Sequence, residues 1–219
     1  VQTCALPIFA KDLQQRFPNT TFEFVNAGIP SFGSTPGAFR MHRDVFANSK
    51  TGQTIVDLLF VEAAVNDSTN GRTTSEMTRG MEGIVRQARL LNPEIDIVMM
   101  HFVDPGKMQQ INQGIVPTVI QRHEAVARHY AIPSIDLATE VTERIAAGEF
   151  TWKGDFKNLH PSPFGQRLYA TTIRRLFDAA KQTRSSKAHT SPPALDPFCY
   201  SQGRLTTRSE DVVRKECSS

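Results

Sequence analysis

The sequence predicts an α/β fold, a three-layer α/β/α sandwich around a mostly parallel sheet. Three observations carry that expectation. Val56 to Val65 and Ile95 to Val103 are almost unbroken apolar runs, the pattern of strands covered on both faces. Helical periodicity follows each of them, and strands that alternate with helices pair in parallel through right-handed crossovers. The 219 residues, 39% hydrophobic and 21% charged, suit one folded domain with a core of its own.

Taken in order, Val1 to Ile8 has no initiator Met and no basic leader region, and it resembles translated sequencing adapter, so the chain reads as truncated at its front. Phe9, Leu13 and Phe17 stand four apart and predict a helix stopped by Pro18. Phe22, Phe24 and Val25 form a β-prone run ending at Asn26, and Ala27 to Gly37, rich in Gly, Pro and Ser, reads as a loop. After the strand Val56 to Val65, the spacing of Met77, Met81, Ile84, Val85, Ala88 and Leu91 predicts a helix over Thr74 to Leu91, closed by Pro93, with both methionines in the core. Ile95 to Val103 is the next strand, Pro117 to Tyr130 a helix and Ile132 to Leu137 a short strand. Ser162 as N-cap and Pro163 as first residue begin the last helix, Pro163 to Ala180. Beyond it, Thr183 to Ser219 loses periodicity and is expected to be disordered or extraneous, leaving 9–182 as the domain.

Composition excludes several functions. No apolar run approaches the ~20 residues of a membrane span. Of the net charge of +3, the last segment contributes six Lys/Arg against four Asp/Glu, so the remainder carries only +1 and offers no electrostatic footprint for nucleic acid. Cys4, Cys199 and Cys217 are odd in number and lack metal-ligand spacing, which implies neither a disulfide framework nor a metal or other cofactor. Cell compartment and oligomeric state are not legible.

Two short motifs carry chemistry. His160, in Asn158-Leu159-His160-Pro161, precedes the positive end of a helix, which disfavours imidazolium and suits a base. Asn66, in Val65-Asn66-Asp67, follows a buried strand at its carboxyl end, where ligand crevices of such sheets lie, and its amide is placed to donate to an oxyanion. His42, His123 and His129 fall on predicted helices among polar residues and are expected at the surface. His101, within a strand, is expected to be packed, and Trp152 reads equally as a wall of the site or as packing.

Together with the loop Asn26-Ala27-Gly28-Ile29-Pro30-Ser31-Phe32-Gly33-Ser34, these motifs resemble SGNH/GDSL hydrolases over roughly Phe9 to Ala180, matching three of the family's four blocks. The resemblance implies a flavodoxin-like SGNH hydrolase fold and a serine ester hydrolase acting through an acyl-enzyme on a small acyl ester, acetylated carbohydrate among the candidates. It assigns His160 as general base, the Asn66 side chain as oxyanion donor, and a main-chain N–H at Ser31 or Gly33 as a second donor. The family places glycine where this chain has Ser31, and an aspartate where it has Lys157. Asp155, the nearest carboxylate before His160, is taken as the orienting acid. The family's first block, a strand ending in Gly-Asp-Ser, has no counterpart here, and Ser31, Ser34 and Ser68 suit turns and caps better than nucleophilic roles. The chain is therefore expected to be poorly stable and inert by itself. Two alternatives remain, a flavodoxin-like binding module, disfavoured by the absence of a phosphate-cradling glycine loop, and a noncatalytic degenerate domain.

Overall fold

The computed structural model describes residues 5–47, 55–180 and 187–205. The expectations for Cys4, Cys217, residues 1–4, 183–186 and 206–219 lie outside the described residues. Three parallel strands, β1 (Leu58–Glu62), β2 (Asp96–Met100) and β3 (Ser134–Ile135), lie in that order, with Leu58 opposite Asp96 and Met99 opposite Ser134. Around them run α1 (Ala5–Arg16), α2 (Ser34–Met41), α3 (Ala64–Thr69), α4 (Thr74–Leu91), α5 (Pro105–Asn112), α6 (Thr118–His129), α7 (Leu137–Ala146) and α8 (Pro163–Ala180).

Alternation along β2 builds the three layers. Val98 and Met100 join Phe9 and Leu13 of α1, Val141 of α7 and Leu168, Tyr169 and Ile173 of α8 on one face. Ile97 and Met99 point the other way, to Met41 of α2, Met81 and Val85 of α4 and Val126 of α6. Both faces of the sheet are thus covered, which is why the strand residues read as unbroken apolar runs.

Local signals set the helix bounds. Thr73 and Glu76 form a reciprocal capping box at the start of α4, Glu76 N–H donating to Thr73 Oγ1 at 3.2 Å and Thr73 N–H to Glu76 Oε2 at 2.8 Å. Asp104 followed by Pro105 starts α5, and Asp136 caps α7 through the Thr139 N–H at 3.0 Å. Helix α2 begins inside the segment Ala27 to Gly37 that was expected as loop, because Gly33 and Ser34 start a helix whose inner side, Ala38 and Met41, is buried.

The run Phe22 to Val25 takes no place in the sheet, contrary to the sequence expectation, and Phe24 is half exposed. A strand exists through its ladder, and β1 is paired only on its β2 side among the described residues, so β-propensity at Phe22 to Val25 finds no partner.

Helices α2 and α4 cross at a glycine. A Cβ on Gly80 would lie 2.3 Å from Ser34 Oγ and 2.7 Å from the Thr35 backbone nitrogen, which cannot move aside. Gly80→Ala is expected to lower stability by roughly 2–3 kcal/mol, measured by denaturant unfolding, despite alanine's better helix propensity.

Candidate active site

The chain emerges from β1 directly into α3, so Asn66 sits in the first turn of a helix at the carboxyl end of the sheet. It is 8% exposed, and its Nδ2 donates to the Phe32 carbonyl at 2.9 Å. The same short helix holds the neighbouring loop at a second point, where Asn70 Nδ2 donates to the Ser31 carbonyl at 2.9 Å. Ser31 has φ +62, a left-handed conformation that glycine adopts without cost, so the structure gives the physical reason a glycine would suit this position. Asn66, Ser31 and Gly33 are therefore brought together.

Asp67, fully buried, fixes the end of that loop. Its Oδ1 accepts the Ser34 N–H at 2.8 Å and its Oδ2 the Ser34 hydroxyl at 2.6 Å, while His123 Nε2 lies 3.0 Å from Oδ2. Gly33 is required by this arrangement, since a Cβ there would stand 2.0 Å from Asp67 Oδ1. Ser34 is consequently committed to a clamp.

His123 overturns the expectation of an exposed histidine, being fully buried on α6. Its spacing from Val119, Ile120, Val126 and Ala127 puts it on the buried stripe of that helix, and this periodicity was the available signal. His101 is packed as expected, with Nε2 2.7 Å from Glu124 Oε1 and its ring 6.0 Å from that of His123. Glu62, at the end of β1, is half-buried nearby, and the loss of hydration pushes its carboxyl above the ordinary range against the opposing Val65 N–H and the charge of Lys107. Lys107 is itself buried and ion-paired with Asp104.

Burial lowers the His123 pKa below its ordinary 6.5, outweighing the hydrogen bond and charge of Asp67, with His101 and Lys107 acting in the same direction as burial. A folded pKa below the unfolded one means that the unfolded chain takes up the proton first as pH falls. The stability is full above about pH 6.5 and is lost as the pH drops from there through the folded value. Thermal melts between pH 7.5 and 5 are expected to show a steeper acid loss for the wild type than for His123→Gln, which keeps a donor for Asp67 without the titration; parallel curves would refute this.

His160 reaches the same edge of the sheet by a different route. In α8, Phe177 stacks on Phe60 in the middle of β1 with centroids 6.3 Å apart, whereas Tyr169 stacks on Phe102, just past the end of β2, at 4.8 Å and 7°. The helix thus runs antiparallel to the strands, and its N-terminus lies at their carboxyl ends. Ser162 caps it, accepting the Gly165 N–H at 3.4 Å, as its position in the sequence implies. The preceding loop is pinned by the Ser162 hydroxyl donating to the Asp155 carbonyl at 2.5 Å and by the Ser162 N–H donating to the Phe156 carbonyl at 2.9 Å. His160 is exposed, its N–H donates to Asn158 Oδ1 at 2.7 Å, and its imidazole makes no hydrogen bond among the described residues.

Asp155 does not reach His160. Its carboxylate accepts the Thr151 N–H at 2.8 Å and the Thr151 hydroxyl at 2.9 Å, bonds that hold its pKa below the usual value. Those bonds close the turn Trp152–Phe156, after which Lys157 takes φ +83. Trp152 is half-buried and stacks on Phe156 at 5.0 Å. No group of three or more His, Cys, Asp or Glu among the described residues is placed to hold a metal ion, and no described helix is long and apolar enough to cross a membrane.

No curated protein matches the chain. Among solved structures, a two-domain esterase active on acetylated mannans is similar over 90% of this chain and 48% of its own length, with 24% identity and a TM-score of 0.70. The same esterase co-crystallized with mannopentaose gives a TM-score of 0.71 at the same identity and coverage. The chain thus spans about half the length of that protein, and the likeness establishes the fold. Residues 4–168, most of the sequence, match the GDSL-like Lipase/Acylhydrolase family, and to that family the chain belongs.

Proposed function

We propose that this domain belongs to an esterase that hydrolyses small acyl esters, with acetylated carbohydrate as the substrate class. The observation that carries the reading is the Asn66 amide, fastened to the Phe32 carbonyl beside the Ser31 to Ser34 loop at the carboxyl end of the sheet. His160 opens α8 on that same edge. In this reading His160 takes the proton from a serine hydroxyl and returns it to the leaving alcohol, while Asn66 and a main-chain N–H at Ser31 or Gly33 stabilise the oxyanion. The acetylated-mannan activity of the structurally similar esterase supports the substrate class.

The 219 residues contain no Gly-Asp-Ser, and in this reading the nucleophile is the serine of such a block. The test is hydrolysis of p-nitrophenyl acetate by the chain alone and by the chain preceded by a strand bearing Gly-Asp-Ser. Turnover is expected only in the second. There, His160→Ala should lower kcat/KM by about 10²–10⁴, and Asn66→Ala by about 10²–10³. Activity that survives His160→Ala removes it as base.

A second reading, a noncatalytic domain of the same fold, is favoured by the Asp155 carboxylate being bonded to Thr151 and not to His160. No turnover after restoration of the strand, in a protein that still folds, selects this reading.

A further inference from the structure

Residues 187–205 lie against the body of the protein in a way their polar composition does not announce. The contact centres on Glu82, a carboxylate on α4 with no exposed surface. Its Oε1 accepts the Leu195 N–H at 2.6 Å and the Tyr130 hydroxyl at 2.7 Å, and its Oε2 accepts the Asp196 N–H at 3.0 Å. Burial, reinforced by the bond to Glu82, pushes the Tyr130 hydroxyl up to about 12, so it remains a donor throughout the physiological range. Two of the three donors to this buried carboxylate are main-chain amides of the segment. Without them a buried charge would keep a single neutral donor, an expensive arrangement.

Further bonds fix the segment along α4 and α6. Arg79 pairs with Asp196 at 2.8 Å, Arg86 donates to the Pro192 carbonyl at 2.8 Å, and His129 Nε2 lies 2.8 Å from the Pro193 carbonyl. Gly83 lets the chain come close, since a Cβ there would stand 2.9 Å from the Tyr200 backbone. The far end then crosses onto α2. Gln87, buried on α4, donates to the Tyr200 carbonyl at 2.7 Å and to the Ala38 carbonyl at 2.9 Å. Tyr200 packs on Phe39 with centroids 5.4 Å apart, and the Leu205 N–H donates to the Phe39 carbonyl at 3.0 Å. Phe39 and Ala38 belong to the helix whose first residue, Ser34, ends the loop beside Asn66.

We propose that residues 187–205 form a strap, clasped by Glu82, whose Tyr200 to Leu205 end braces α2 and so positions the Ser31 to Ser34 loop. Asp67 holds that helix at its start and the strap holds it in its later turns. The consequence for catalysis rests on the esterase reading of the loop, whereas the mechanical coupling does not. The segment lies beyond the residues that match the family, so this chain carries the brace outside its family core.

Hydrogen exchange on the full chain tests the coupling without using activity. In the wild type the Leu195, Asp196 and Leu205 amides should exchange well below free-peptide rates. In Glu82→Gln, exchange at those amides and at Gly37 in α2 should rise by at least about tenfold, while Met99 in β2 keeps its protection. Asp196→Ala, which removes the Arg79 pair and leaves the buried carboxylate in place, should reproduce the pattern more weakly and guards against general unfolding of the first variant. Strap amides at free-peptide rates in the wild type, or strap amides released in Asp196→Ala with no change at Gly37, would overturn the proposal. Alkylation of the free, half-buried Cys199, followed by mass spectrometry, should accelerate in parallel with the strap amides.

Discussion

Asp67→Ala is expected to cost roughly 3–5 kcal/mol of folding stability. Three groups depend on this one carboxylate, the Ser34 amide, the Ser34 hydroxyl and His123 Nε2, and none of them has access to water. Removal leaves each without a partner in the interior, where an unmade hydrogen bond costs its full desolvation. The loss should appear as a fall in the denaturant midpoint with an unchanged slope. Asp67→Asn separates the contributions, since the amide still accepts from Ser34 N–H at one oxygen but presents an NH₂ group to the hydroxyl and imidazole. Its cost should be smaller than that of alanine. A loss below about 1 kcal/mol for Asp67→Ala, within the range of ordinary surface changes, would show that the loop does not depend on this clamp.

Phe156→Ala is expected to cost about 3–5 kcal/mol, the range for emptying a buried aromatic site. The ring has no exposed surface and touches Trp152, Phe150 and Tyr169, with centroids at 5.0, 6.4 and 5.6 Å. Gly165 of α8 also abuts it, a Cβ there falling 2.8 Å from the ring. Collapse into the space is hindered, because the backbone of Phe156 is held by the turn behind it and its carbonyl receives the Ser162 N–H. The His160 loop begins at this residue, so proteolysis between Lys157 and His160 should accelerate in the variant. Unchanged cleavage there would mean that the loop is held by the Ser162 bonds alone.

Several elements are legible in the sequence alone. Thr74 to Leu91 and Pro163 to Ala180 form helices with the predicted bounds, because strong 3.6-residue periodicity coincides there with an N-cap at one end. The strands were also legible, although β1 and β2 are shorter than the apolar runs that announced them and β1 is only partly buried. At the candidate site, Asn66 and the Ser31 to Gly33 loop are adjacent in space, whereas Asp155, chosen for its nearness in sequence to His160, turns to Thr151. A side chain four residues from a free N–H and hydroxyl closes its own turn before it reaches a more distant ring.

The chain by itself determined the layered α/β architecture and the candidate site's place at the carboxyl ends of the strands, since hydrophobic period and capping residues act over a few neighbouring positions. Pairing and burial of polar groups were decided only in three dimensions. Phe22 to Val25 has strand composition but no neighbour among the described residues to complete a ladder, His123 becomes internal because its helix face meets Asp67 across 56 residues of sequence, and the 187–205 segment docks through main-chain amides that any sequence would offer. The physical reason is common to all three: backbone and buried polar groups are satisfied by partners distant along the chain, and local composition carries no record of which partner will be near.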